Sequence, residues 1–163
     1  MNRTILLAAI ALSLGVALPD SAFAQTAKDL VGTWMNVSNV NIRQDGSKVE
    51  LFGPHGTGIA IFESNGHYAI INMNPDVPKF ASNNRATGTA DENKAVVAGS
   101  NAFFGTYSLN EADKTLTLRI EGSAYPNLEG TQQKRTITSL TAGDELTWTN
   151  PATHGEVAWK WMK

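Results

Sequence analysis

Three side chains in the second half of the chain have types that could do acid–base chemistry together. Tyr107 carries a phenol, Glu121 a carboxylate and Arg135 a guanidinium. Held in one pocket with Asn127, they could transfer a proton on a small substrate, as isomerases and cyclases do. The same residues could instead be structural, with Arg135 and Glu121 joined as an ion pair. The pattern favours this second interpretation.

The tryptophans are the other side chains that could define a binding site. Four are present, and all lie in segments that alternate as β-strands do. Tryptophan in a small β domain either fills the core or offers a flat apolar wall to a ligand. The candidate ligand-binding residues are therefore Trp34, Tyr107, Glu121, Asn127, Arg135, Trp148 and Trp159.

Other kinds of catalytic or metal site find no support in the sequence. The three histidines, His55, His67 and His154, each adjoin a glycine and lack the spacing of metal ligands on one element. Cysteine is absent, which excludes thiol catalysis and thiolate metal ligands. No G-x-S-x-G nucleophile motif occurs. We therefore expect no metal and no cofactor.

Short β-favouring runs separated by turn residues make up most of the chain after residue 30. Asn65-Gly66, between two such runs, is a strong hairpin signal. The pattern predicts eight strands, at residues 31–42, 57–63, 67–73, 103–109, 115–121, 131–140, 146–149 and 157–162. Short strands at such regular spacing indicate an antiparallel barrel or sandwich.

One connection is too long for a simple strand meander. Between the third and fourth strands, Asp91 and Glu92 precede a run with a weak apolar face. Acidic residues suit the first turn of a helix, so the sequence predicts a short helix near residues 91–101. Such an insertion can be a functional lid, a barrel plug or a cap on the bottom of the barrel.

Alternation along the strands predicts which side chains face the core. In residues 115–121 the leucines and the isoleucine share one side, which marks it as core-facing. Arg135 shares a side of the next strand with Ile137, so we predict that it points inward. A buried guanidinium without a partner is strongly unfavourable. We therefore expect Arg135 to pair with Glu121 or Tyr107, or to meet an anionic ligand.

The first residues predict where the protein works. An uncharged apolar run over residues 5–18 ends near Ala22-Phe23-Ala24, which has the small-x-small pattern of a signal-peptidase site. The run is shorter than the ~20 residues that span a hydrocarbon core. We expect residues 1–24 to be a cleaved signal peptide, residues 25–163 to form one domain, and the protein to be periplasmic or secreted.

The net charge limits the partners. A net charge of −2 does not indicate the positively charged surface that binds nucleic acid, or the basic patch that binds anionic lipid. No later segment is apolar enough to span a membrane. Because there are no disulfides, the fold must rest on its hydrophobic core.

An ordered set of motifs carries a family resemblance. Gly32-Thr33-Trp34 is similar to the G-x-W signature of lipocalins and other calycin barrels. The chain resembles the bacterial lipocalin-like domain family in the blocks LVGTW at 30–34, GPHGTG at 53–58, FESNGHY at 62–68, FFGTY at 103–107, EGSAYPNLEGT at 121–131 and LTW at 146–148. The resemblance implies an all-β, eight-stranded antiparallel lipocalin-like barrel with a small interior cavity. It implies little about function.

The last strand departs from the lipocalin pattern. In lipocalins a basic residue there packs across the G-x-W tryptophan, but Trp161 stands where relatives tend to carry arginine. Lys160 could contact Trp34 only if the register shifted by one residue, which would reverse every face of the strand. The disulfide of many secreted lipocalins is also absent.

These observations favour a binding protein over an enzyme. We expect an exported barrel that holds a small hydrophobic or amphipathic molecule, because eight strands enclose room for side chains or one small ligand. One alternative is a barrel isomerase or cyclase that uses an interior Arg/Tyr/Glu site. The other is an envelope interaction protein with a filled barrel. An open cavity separates the first two from the third, and the sequence sets neither the ligand nor the oligomeric state.

Overall fold

An antiparallel sheet closed on itself forms the body of the protein. The computed structural model describes residues 26–162. Within this range the strands are β1 (Gly32–Ile42), β2 (Lys48–Glu50), β3 (Thr57–Phe62), β4 (His67–Met73), β5 (Ser100–Asn110), β6 (Thr115–Ser123), β7 (Gln132–Thr141), β8 (Glu145–Asn150) and β9 (Gly155–Trp161). From β3 onward each strand pairs with the next, and pairing of β9 with β1 closes the sheet.

β2 is a short addition rather than a full member of the barrel. It pairs with the last three residues of β1, whereas the first residues of β1 pair with β3. β2 and β3 therefore lie one after the other on the same side of β1, and the barrel closes with eight strand positions. This confirms the predicted all-β, eight-stranded antiparallel barrel, although the sequence pattern did not predict β2.

Two tryptophans close one end of the barrel. Trp34 is fully buried, and its indole N–H donates to the carbonyl of Leu30 at 2.9 Å, at the end of the one-turn helix α1 (Ala27–Leu30). Trp161 packs edge-on against Trp34, with ring centroids 4.9 Å apart. We call this the closed end, and the opposite end, where β4 ends and β5 begins, the open end.

Trp161 takes the place that the resemblance assigns to a basic residue. Trp34 and Trp161 are register partners on β1 and β9. Lys160 points outward instead, and its ammonium lies 3.0 Å from the Asp144 carboxylate and 3.9 Å from that of Glu145. The alternative in which Lys160 reaches Trp34 through a one-residue shift is therefore not formed.

The core follows the alternation that the sequence predicts. Leu116, Leu118 and Ile120 of β6 are buried. Val157 and Trp159 of β9 are buried in the same way, while the residues that alternate with them, Glu156, Ala158 and Lys160, are more exposed. Because period-two alternation places these side chains on one face, the apolar residues of all the strands meet inside the barrel.

A bulge in β1 changes which of its residues face inward. The pairing of β1 with β9 skips Val37, which is 59% exposed. A bulge adds one residue to its strand, so the inward face passes from Trp34 on one side of the bulge to Asn39 and Asn41 on the other. The bulge therefore brings two amide side chains into the interior.

The predicted helix lies in the connection between β4 and β5 as α2 (Ala90–Ala98). The Thr89 hydroxyl accepts from the backbone N–H of Glu92 at 3.2 Å, and the Glu92 carboxylate accepts from that of Thr89 at 2.7 Å. This capping box satisfies two N–H groups that lack partners within the helix. The two acidic residues of the first turn are placed as expected.

The connection neither plugs the barrel nor caps its bottom. It starts and finishes at the open end, and α2 buries none of its residues. None of residues 74–99 lines the interior cavity. The expectation of a plug is therefore wrong, because none of these residues enters the cavity. The expectation of a bottom cap is wrong as well, because the connection is attached to the open end and not to the closed end.

The predicted signal peptide, residues 1–24, lies outside the described residues. Within residues 26–162, no helix is both long and apolar enough to cross a membrane.

Candidate ligand-binding cavity

A cavity of about 200 Å³ enters the barrel from the open end. Its lining comes from most of the barrel strands and from three connections between strands: Asn39, Asn41, Leu51, Ile70, Asn72, Asn101, Phe103, Leu128, Gln133, Arg135, Trp148, Asn150, Thr153, Gly155, Val157 and Trp159. Since these residues come from segments far apart in sequence, only closure of the barrel brings them together. The barrel is therefore not filled by side chains at this end.

Amide side chains form the rim of the cavity. Asn41 of β1 and Asn150 of β8 are both register partners of Gly155. Across the barrel, the Asn72 side chain donates to the Asn101 Oδ1 atom at 3.1 Å. Each amide can both donate and accept a hydrogen bond, so the rim suits a polar molecule or a polar part of one.

The deeper part of the cavity is apolar and aromatic. Ile70 and Phe103 on one side and Trp148 and Trp159 on the other are 7% exposed or less. The two indole rings lie 5.4 Å apart between centroids at a tilt of 47°. A polar rim over an apolar interior is the usual arrangement of a small-molecule site.

Arg135 points into the cavity, as alternation along its strand predicts. Its guanidinium donates to the carbonyl of Lys134 at 2.9 Å and to the side-chain oxygen of Gln133. Burial lowers the pKa of Arg135 to about 10, because the charged form loses hydration. A guanidinium with a pKa of about 10 still carries its charge at neutral pH.

The predicted partners of Arg135 are wrong. Glu121 is exposed on the outer face of β6, where its carboxylate accepts from the Thr106 hydroxyl at 3.5 Å. The Tyr107 hydroxyl donates to the carbonyl of Glu63 at 2.9 Å, at the turn between β3 and β4 near the closed end. Among residues 26–162, no carboxylate lies within 4 Å of the Arg135 guanidinium.

Several buried polar atoms near the cavity have no hydrogen-bond partner. They are the indole nitrogens of Trp148 and Trp159, the Oδ1 atom of Asn72 and the hydroxyl of Tyr68. The first three belong to residues that line the cavity. Buried polar groups are nearly always paired, with protein groups or with ordered water, so water or another molecule is the expected partner of these atoms.

Tyr68 lies on β4, nearer the closed end than the residues that line the cavity, and its side chain faces inward. Burial raises its pKa, a shift that the positive charge of Arg135 opposes and the negative charge of Glu121 increases. Its ring packs between Phe62 and Phe103, with each pair of centroids 6.1 Å apart. The hydroxyl therefore remains protonated well above the pH at which a free phenol ionises.

The structure brings together three of the seven predicted site residues. Arg135, Trp148 and Trp159 line the cavity. Trp34 and Tyr107 lie toward the closed end, Glu121 faces outward, and Asn127 is exposed on the short 3-10 turn Pro126–Leu128 at the open end, beside the lining residue Leu128. The Arg/Tyr/Glu set proposed for proton transfer thus does not meet at one point.

The amide rim is the feature that sequence reasoning missed. Asparagine is depleted in strands, yet Asn39, Asn41, Asn72, Asn101 and Asn150 all lie in strands. That unusual placement was a usable signal. That Asn39 and Asn41 face inward could not be read from the alternation of β1, because the bulge at the centre of this strand reverses its faces.

The three histidines are exposed at the surface of the protein. The His55 Nδ1 atom lies 3.0 Å from the Asp76 carboxylate on the surface, and His67 contacts the side chain of Asn65 at 3.1 Å. Within the described part of the chain, no cluster of three or more His, Asp or Glu side chains is arranged to hold a metal ion.

The lining is poor in groups that exchange protons near neutral pH. Of the described residues around the cavity, Arg135 alone is ionisable, and no carboxylate, imidazole or amine is among them. A general acid or base needs a pKa near the working pH, which a guanidinium does not provide. What the lining does provide is a positive charge, several hydrogen-bond donors and apolar walls.

A closed antiparallel barrel with one sealed end and a cavity at the other defines a class of small-ligand-binding barrels. The model of the lipocalin-like domain family matches residues 31–161, so the chain belongs to this family. A comparison with curated proteins gave no match.

Proposed function

We propose that this chain is an exported protein that binds one small amphipathic molecule inside the open end of its barrel. The observation that carries the proposal is the cavity of about 200 Å³, with amides at its rim and aromatic rings below. The lipocalin-like fold suggests ligand binding in general, and the lining supplies the amphipathic character. Export is supported by the apolar run and the small-x-small motif of residues 1–24.

The size of the cavity limits the ligand. An engineered cavity of roughly 150 Å³ in another protein holds benzene. A space of about 200 Å³ therefore accommodates a single ring with a short polar group, and it excludes a long acyl chain lying wholly inside. The ligand is small enough for Trp148 and Trp159 to contact most of its apolar surface.

Native mass spectrometry of the protein purified from its own host tests this proposal. We expect an added mass of a small organic molecule that is lost on denaturation. The variant Val157→Phe, which narrows the cavity, should lose this mass. The matched control Val37→Phe adds the same ring at a position that is 59% exposed and should retain it. A wild-type spectrum with no added mass would count against the proposed function.

The predicted export has a separate test. Fractionation of the host followed by N-terminal sequencing should return protein that begins at Gln25, outside the cytoplasm. Recovery of cytoplasmic protein that still begins at Met1 would show that residues 1–24 are not a signal peptide.

A further inference from the structure

The cavity contains one positive charge and no described negative charge to balance it. Arg135 is the single ionisable residue among the lining residues, and no carboxylate of residues 26–162 approaches it within 4 Å. The Arg135 side chain is half-buried, and withdrawing a guanidinium even partly from water without a counter-ion is unfavourable. A bound anion would supply the missing charge.

The donors around Arg135 are arranged for an acceptor. A guanidinium has five N–H bonds, and hydrogen bonds to the Lys134 carbonyl and the Gln133 side chain use two of them. These two contacts leave three N–H bonds for a ligand.

We propose that the ligand is a small aromatic carboxylate, held through its carboxylate by Arg135 and through its ring by Trp148 and Trp159. This inference rests on the proposed function and specifies the chemistry of the same site. A carboxylate is planar with two acceptor oxygens, and a guanidinium matches it with two parallel N–H bonds. A single cation also suits a monoanion better than a more highly charged group.

The walls of the cavity favour an aromatic ring as the apolar part. Phe103, Trp148 and Trp159 supply three aromatic surfaces, and the remaining space fits one ring. Aromatic rings gain from edge-to-face and offset contacts beyond the burial of apolar area. A neutral apolar ligand would occupy the same space, but it would leave the Arg135 charge without a counter-ion.

A comparison of phenylacetate with its neutral isostere phenylacetamide tests the inference. Both compounds are titrated into the protein, with Trp fluorescence and calorimetry as readouts, since Trp148 and Trp159 line the cavity. We expect the acid to bind at least about ten-fold more tightly, as hydrogen bonds to a charged group allow. The acid should also bind more tightly than hexanoate, which lacks a ring.

Two variants assign the preference to Arg135. Arg135→Gln should remove the difference between acid and amide, and a denaturation curve shows that the variant is folded. Arg119→Gln is the matched control, because Arg119 lies exposed on the outer face of the neighbouring strand β6. It should leave the preference unchanged.

The outcomes separate this inference from the proposed function. Equal binding of acid and amide, or an acid preference that survives Arg135→Gln, would overturn the carboxylate inference while interior binding stands. Tighter binding of hexanoate would overturn the aromatic part. If neither phenylacetate nor phenylacetamide binds, the inference is overturned, and a ligand-free native mass spectrum would overturn the proposed function as well.

Discussion

Replacing Gly32 with alanine should disrupt the closed end of the barrel by two separate effects. Gly32 has a φ of +141°, a conformation that residues with a Cβ atom rarely adopt. A Cβ atom at this position would also overlap the six-membered ring of Trp161. The glycine of the G-x-W motif is therefore required both by the backbone and by the ring that packs over it.

The expected magnitude follows from these two effects. Holding alanine in a sparsely populated backbone conformation costs about 1–3 kcal/mol. Displacing Trp161 loses its edge-to-face contact with Trp34, about 0.5–1.5 kcal/mol, together with some buried apolar area. We expect Gly32→Ala to lower the free energy of unfolding by about 2–4 kcal/mol.

A double-mutant cycle measured by urea denaturation separates the two contributions. In the Trp161→Ala background only the backbone contribution remains, so Gly32→Ala should cost about 1 kcal/mol less there than in the wild type. Gly143→Ala is the control for the backbone alone, since Gly143 has a φ of +69° and open space around its Cβ position. Additive costs, or a Gly32→Ala cost equal to that of the control, would refute this reasoning.

Three further predictions concern the interior. Trp34→Ala should lower the free energy of unfolding by ~3–5 kcal/mol, because Trp34 is fully buried; a loss below about 1 kcal/mol in chemical denaturation would contradict its role at the closed end. Arg135→Gln should change the stability of the ligand-free protein by less than about 1 kcal/mol, because the lost hydrogen bonds are offset by relief of a half-buried charge; a loss above about 3 kcal/mol would indicate a structural ion pair. Burial raises the pKa of Tyr68 above its ordinary 10.0. Above pH 10 the unfolded protein therefore releases this proton while the folded protein keeps it, and the free energy of unfolding falls. Between pH 9 and pH 11 the free energy of unfolding of Tyr68→Phe should therefore fall by up to about 1 kcal/mol less than that of the wild type. The control Tyr125→Phe, which changes an exposed site, should behave as the wild type does.

Period-two alternation predicted most of the barrel and one part of the site. It placed Leu116 and Leu118 in the core and turned Arg135 inward, because the stretch of β7 that carries Arg135 has no bulge. It failed at β1, where the skipped residue Val37 reverses the faces and carries Asn39 into the interior. A bulge depends on pairing with a distant strand, so the local sequence does not reveal it.

The contacts between distant strands were the other part that the sequence could not supply. Glu121 was the expected partner of Arg135, yet their strands present the two side chains on opposite sides of the barrel wall. Tyr107 finds its hydrogen-bond partner at Glu63, 44 residues away. Residue type identified which groups needed partners, while the register and closure of the barrel decided which partners they have.

A crystal structure of the protein with phenylacetate tests the central claim most directly. We predict the ligand in the open-end cavity, with its carboxylate within hydrogen-bond distance of the Arg135 guanidinium and its ring against Trp148 and Trp159. A ligand bound on the outer surface, with only ordered water beside Arg135 at saturating phenylacetate, would contradict the account.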